Sequence, residues 1–200
     1  MPRLLYLARH GETDWNAAQR WQGHTDVPLN ENGRAQARAL AERLRAVGLG
    51  AVVTSDLSRA NETGRIVADA LGLPLAYVDG ELRERAFGVF EGLTRQECET
   101  LHTDAWRAWL EGKQIPRGGE PHESLTERLL RAVGRVAAEV ARDEAPALVV
   151  THGGALRAIV NAATGTNPPP IKNGAVWVLV WEGRVVTLRE MELQSSSPSS

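Results

Sequence analysis

At 200 residues the chain has the length of one ordinary domain, and with 42% apolar side chains it can bury a full core. A net charge of −2 provides no global field to recruit nucleic acid or a membrane surface, so a bound anion must be held by a local cluster of cations. The single cysteine, Cys98, excludes an intrachain disulfide and fits a reducing compartment; with no membrane-length apolar run and an opening run too short for a signal peptide, a cytoplasmic location is the default expectation.

Leu4–Ala8 is a short apolar run suited to a strand buried on both faces. Arg9, His10 and Gly11 follow at its end, where open α/β sheets bind their ligands. Arg9 can grip a phosphate bidentately, and a neutral His10 can attack phosphorus through one ring nitrogen. Its other ring N–H then needs an acceptor, for which a backbone carbonyl in the turn is the natural choice. Gly11 is expected to let the backbone turn sharply. Asn16, one turn on, can offer its amide to a phosphate oxygen. Taken alone, the Arg-His pair reads as a surface cation and a capping imidazole.

Trp21–Leu29 is a loop by its Gly, Pro and polar content, with His24 expected to face solvent. Asn30 is a candidate N-cap for a helix whose apolar positions are Ala35, Ala39, Leu40, Leu44 and Val47, with Gly48 as its stop. Ala51–Thr54 is a second buried strand, and the helix after it runs to about Leu71. Arg59 falls in that helix's first turn. A cation is unfavourable there unless an anion lies beside it; the alternative is pairing with Glu62 or Asp56. Arg65 reads as a surface charge.

Leu75–Val78 is a short strand. In the segment after it, Glu84 is the candidate acid, because a leaving alkoxide needs a proton and a nearby phosphate favours a protonated carboxyl. The alternative is a surface ion pair with Arg83 or Arg85. Thr94–Gly119 holds one helical segment and a loop, in which Cys98 is an incidental side chain. Trp106 and Trp109, with Trp15, Trp21 and Phe87, suggest an apolar-walled pocket open to varied esters. Ser124 is a candidate N-cap, with Glu127 at capping-box spacing, for a helix carrying Leu125, Leu129, Val133, Val136 and Val140. Ala147–Val150 is the last strongly buried strand. Thr151-His152-Gly153-Gly154 then opens a helix whose start accepts an anion readily. Two alternating segments around Glu182-Gly183 form a hairpin. Alternating strands and helices imply an α/β fold: a three-layer α/β/α arrangement, its sheet mainly parallel with an antiparallel edge.

The string R-H-G-E-T-x-W-N ending at Asn16 resembles the signature of the histidine phosphatase superfamily, the phosphoglycerate-mutase-like proteins. Four further strings resemble its segments in order: Q-G-x-x-D-x-P-L from Gln22, S-D-L-x-R-A-x-x-T from Ser55, L-x-E-x-x-x-G-x-x-E-G from Leu82, and T-H-G-G-x-L-R from Thr151. Pro121-His122-Glu123 separates Glu120 from Ser124, loosening the match to the family's G-E-S segment, and His122 receives no role. The resemblance implies a phosphatase that works through phospho-His10. In that scheme Glu84 is the proton donor, and Arg9, Arg59, His152, Asn16 and the Gly153 N–H surround the phosphoryl group. Gln22 and Gly23 line the substrate pocket, and Glu91 is a structural anchor.

No cofactor or metal is expected, since the arginines supply the positive charge and no tight ligand spacing occurs. The expected partner is a small phosphomonoester, with neither nucleic acid nor membrane; the oligomeric state stays open, a dimer included. Two other functions remain: a mutase, though no long basic insertion follows Glu84, and a non-catalytic phospholigand-binding module. Residues 1–193 are expected to form one catalytic domain, and Gln194–Ser200 a disordered Ser/Pro tail.

Overall fold

The computed structural model describes residues 2–142 and 145–191. The expected tail, 194–200, lies outside them. Six strands form one sheet: β1 (Arg3–Arg9), β2 (Ala51–Ser55), β3 (Leu75–Asp79), β4 (Ala147–Thr151), β5 (Val176–Trp181) and β6 (Val185–Glu190). Their order is β3-β2-β4-β1-β5-β6. The pairs β3–β2, β2–β4 and β4–β1 are parallel, whereas β1–β5 and β5–β6 are antiparallel. The mainly parallel sheet with an antiparallel hairpin edge is the expected one.

Side chains alternate across each strand and build two cores. On one face Leu5, Leu7, Val149 and Leu179 pack against α6 (His122–Glu139) and α7 (Gly153–Thr164). On the other, Ala8, Val52, Leu148 and Val150 pack against α2 (Glu31–Leu44) and α3 (Ser58–Leu71). The three layers follow from strands apolar on both faces. A third, smaller cluster centres on Phe90, Cys98 and Trp106. Cys98 is therefore a fully buried packing residue rather than an incidental one. No helix among the described residues is long and apolar enough to cross a membrane.

Three local expectations are corrected. Helix α2 starts from Asn30 as predicted, with the Gly33 N–H donating to Asn30 Oδ1. However, it buries Gly33, Ala37, Leu40, Ala41 and Leu44, while Ala35 and Ala39 are exposed. Alanine carries too little apolar surface to set the phase, and the Gly33 contact described below does so. Helix α6 begins at His122, two residues before the predicted cap; Pro121 occupies the cap position and no side chain caps it. The Thr94–Gly119 region holds two short helices, α4 (Arg95–Leu101) and α5 (Thr103–Leu110), rather than one.

Candidate active site

The neighbouring strands β2, β4 and β1 all end at one edge of the sheet, and each delivers a polar side chain there. His10 follows β1, His152 follows β4, and Ser55 ends β2. The two imidazoles meet edge-on with centroids 5.1 Å apart. His10 Nδ1 lies 2.6 Å from the Gly11 carbonyl. A carbonyl only accepts, so Nδ1 carries the proton and Nε2 keeps its lone pair, as the sequence reading required. Burial, reinforced by the charges of Arg9 and Arg59, holds the His10 ring well below its ordinary pKa, so it is neutral near pH 7. His152 is lowered in the same way, by burial first and then Arg59. Its Nε2 bonds Ser55 Oγ at 2.9 Å, and its Nδ1 is buried without a partner.

Gly11 serves a purpose other than the expected turn. A Cβ there would overlap the Gly33 carbonyl, and a Cβ on Gly33 would overlap that of Glu12. The loop after β1 thus lies directly on the first turn of α2.

Arg59 is completely buried. It donates to the Gly23 carbonyl at 2.8 Å and the Thr25 carbonyl at 3.0 Å, leaving its Nε without a partner. The acids considered as its alternative partners are engaged elsewhere: Asp56 binds Arg83 and Glu62 binds Arg34. Burial pulls the Arg59 pKa down to about 10, so the guanidinium remains charged near neutrality. Arg9 likewise has a buried, unpartnered Nε, and it runs so close to Gly153 that a Cβ there would stand 3.1 Å from it.

Asn16 sits in the single-turn helix α1 (Asp14–Ala17), whose N-cap, Thr13, forms a capping box with it. The Asn16 Oδ1 accepts from the Thr13 N–H and from Asn173 Nδ2. With its oxygen occupied, its amide N–H groups are left for the cleft. Gln22 is 7% exposed and its Oε1 has no partner. Gly23 adopts a positive φ of 55°, which orients its carbonyl to Arg59.

The Glu84 carboxylate accepts two backbone N–H groups, from Arg85 at 2.8 Å and from Gly154 at 2.7 Å. It forms no ion pair with Arg83 or Arg85; the first is taken by Asp56, and Arg85 Nε donates to the Glu120 carbonyl. Glu91 is the anchor expected of it, accepting from the backbone of His24, Thr25, Phe87 and Gly88. His24 does not simply face solvent: its Nε2 donates to the Glu84 carbonyl at 2.9 Å.

Arg9, His10, Asn16, Arg59, Glu84 and Gly153 line one cleft of about 410 Å³, together with Gln22 and Gly23. His152 lies fully buried against His10. Trp21, Phe87, Pro170 and Ile171 supply the apolar part of the wall. Of the other expected aromatics, Trp106 and Trp109 stand behind Trp21, at centroid distances of 6.1 and 5.3 Å, and Trp15 packs near Gly92. Among the described residues no group of three or more His, Cys, Asp or Glu could hold a metal ion.

Several contributors carried no sequence signal. Asn173 Nδ2 donates to the carbonyls of His10 and Gly11, and so ties the loop after β1 to the segment before β5. Arg128 holds the Glu84 carbonyl. Gly154, whose N–H holds the Glu84 carboxylate, is visible only as part of a matching string. Ser55 was visible only as part of a matching string. Chemically, two neutral imidazoles, one buried and one half-buried guanidinium and a helix start can surround a tetrahedral dianion, with a nucleophilic nitrogen and a carboxyl beside it.

The family model of the histidine phosphatase superfamily (branch 1) matches residues 5–194. A relative from Arabidopsis thaliana, phosphoglycerate mutase-like protein 4, is 39% identical over 163 residues, covering 80% of this chain and 70% of that one. A Yersinia enterocolitica protein named "Probable phosphoglycerate mutase GpmB" is 39% identical over 171 residues, covering 82% and 76%. Among solved structures, a mycobacterial glucosyl-3-phosphoglycerate phosphatase in complex with VO3 superposes with a TM-score of 0.83 at 31% identity, covering 97% of this chain and 100% of the other.

Proposed function

Because the chain belongs to the histidine phosphatase superfamily (branch 1), we propose that it hydrolyses phosphomonoesters through a covalent phospho-His10 intermediate. The observation that carries this reading is the His10 imidazole, proton fixed on Nδ1 by Gly11, lining one cleft with Arg59 and Glu84. A phosphomonoester enters with its phosphoryl oxygens toward Arg9, Arg59, His152, the Asn16 amide and the Gly153 N–H. His10 Nε2 attacks phosphorus, the P–O bond to the alcohol breaks, and the Glu84 carboxyl gives its proton to the leaving oxygen. Glu84, now a carboxylate, takes a proton from water as that water attacks phosphorus; the P–N bond breaks and His10 is released neutral. Positioning and preorganised charge do most of the work. Arg9 and Arg59 supply the charge a metal would, so the scheme uses no cofactor. Gln22, Gly23 and the Trp21–Phe87 wall face the alcohol part.

The relatives' names favour one second reading, transfer of the phosphoryl group between hydroxyls of a small acid. A mutase keeps the phosphoryl group on histidine and excludes water. Rapid quench with labelled substrate separates the outcomes. Hydrolysis predicts an acid-labile phospho-enzyme that decays to free phosphate; mutase action predicts isomerised phosphoglycerate in a coupled assay. Normal turnover by His10→Ala would remove the covalent scheme altogether.

A further inference from the structure

Arg128 is absent from every string that matched the family pattern, and it lies on α6, outside the cleft. Its side chain is only 12% exposed. It spends all its N–H donors on one segment and one acid. Nη1 donates to the carbonyls of Glu81 and Arg83, at 2.8 and 2.7 Å. Nη2 donates to the Glu84 carbonyl at 2.8 Å and to Glu120 Oε2 at 2.7 Å, and Nε to Glu120 Oε1 at 2.7 Å. A guanidinium has five N–H groups, and here each has a partner. Three of those partners are backbone oxygens in the short stretch that ends at Glu84.

That stretch has little regular structure of its own to hold it. It passes from a single 3-10 turn, Gly80–Leu82, into irregular chain. Apart from Arg128, the Leu82 carbonyl accepts from Thr151 Oγ1 at 2.7 Å, and the Glu84 carbonyl from His24. Arg128 alone bonds three carbonyls of this backbone path, those of Glu81, Arg83 and Glu84. Glu120 closes the arrangement from the other side: its carboxylate grips the guanidinium, and its own N–H donates to the Ala86 carbonyl at 2.9 Å. Burial alone would raise the Glu120 pKa, but the hydrogen bonds and charge of Arg128 keep it below the ordinary carboxylate range, so the pair is ionised.

The geometry points to Arg128 as the positioning residue for proton transfer to the leaving group: clamped by Glu120, it fixes the Glu81–Glu84 backbone and so sets where the Glu84 carboxyl meets the substrate. It touches no substrate atom itself. The inference rests on the reading of Glu84 as proton donor. Lysine cannot replace it, because an ammonium has three donors and no planar fork.

The test compares kcat/KM for an alkyl phosphate, whose alcohol must be protonated to leave, with that for 4-nitrophenyl phosphate, whose phenolate leaves unaided. kcat/KM reports the first, bond-breaking step, so slow hydrolysis of the phospho-enzyme does not mask it. Arg128→Lys, Arg128→Met and Glu84→Gln are measured in parallel, each with a thermal melt and a phospho-enzyme titration to count folded sites. The expected result is a loss on the order of 10- to 100-fold for the alkyl ester with both Arg128 variants, and less than about 3-fold for the nitrophenyl ester. The Arg128→Lys/Glu84→Gln double variant should be no worse than Glu84→Gln alone. Equal losses on both esters per folded site, or none on either, overturn the role of Arg128. If Glu84→Gln shows no dependence on the leaving group, the proton-donor reading fails and the role of Arg128 fails with it. A selective loss in Glu84→Gln but not in the Arg128 variants overturns the latter only.

Discussion

The Gly154 N–H donates to Glu84 Oε2 at 2.7 Å, so the start of α7 holds the candidate acid by its backbone. Glycine is needed at this point, because a Cβ would overlap the same carboxylate. Gly154→Ala should therefore move the Glu84 side chain without unfolding the protein. Alanine improves helix propensity by up to about 1 kcal/mol, which offsets much of the local crowding. Activity toward alkyl phosphates should fall about 10- to 100-fold, while the melting temperature stays nearly constant. Undiminished kcat/KM in a folded variant would show that the contact has no part in catalysis.

The Gly11–Gly33 contact presses one backbone on another, and neither can step aside. Gly11→Ala and Gly33→Ala should each lose about 2–3 kcal/mol of stability. Urea titration measures this directly. Wild-type midpoints in both variants would mean that the loop and α2 separate without penalty.

Arg59 carries a buried charge with no carboxylate among the described residues in contact with it, and this is the arrangement of a site awaiting an anion. Inorganic phosphate or vanadate at 100 times its dissociation constant should stabilise the wild type by about 2.7 kcal/mol. Arg59→Met should remove that ligand-induced stabilisation. In the absence of ligand its stability should change far less, because a desolvated charge disappears along with its hydrogen bonds. Thermal melts with and without phosphate decide the matter; full stabilisation of the variant would exclude Arg59 from the anion site.

The two histidines make the ligand-free protein sensitive to acid. Both rings resist protonation in the folded state, burial being the largest cause, relative to an ordinary value of 6.5. Between that value and the lowered folded one, the unfolded chain binds more protons than the folded chain. Stability therefore rises with pH across this window and is lost as pH falls below about 6.5. Replacing both histidines by glutamine should flatten the fall between pH 6.5 and 5. Denaturation midpoints measured across that range test it, and parallel profiles for the two proteins would contradict it.

The sheet was legible because its central strands are short, continuous apolar runs, and the site because the residues following them are chemically specific. Arg9, His10, Arg59, Glu84 and His152 could each be found from a strand end, a helix start or a matching string. Their supports could not. Asn173 and Arg128 act on backbone atoms that are remote in sequence, and such bonds leave no periodicity or spacing to detect. The buried face of α2 is not legible in the sequence for a related reason. Its phase is set by a glycine at a close backbone approach, and an apolar count gives that glycine no weight.

The strand order bears on how the molecule is made. Both neighbours of β1, namely β4 and β5, come from the last third of the chain. A ribosome working at about 5–20 residues per second must therefore add more than a hundred residues before the first strand can pair. For on the order of ten seconds, the apolar strand that leads to His10 has both edges unsatisfied, the state in which strands find wrong partners. Interrupted translation upstream of β4 yields a polypeptide that lacks both strands β1 pairs with.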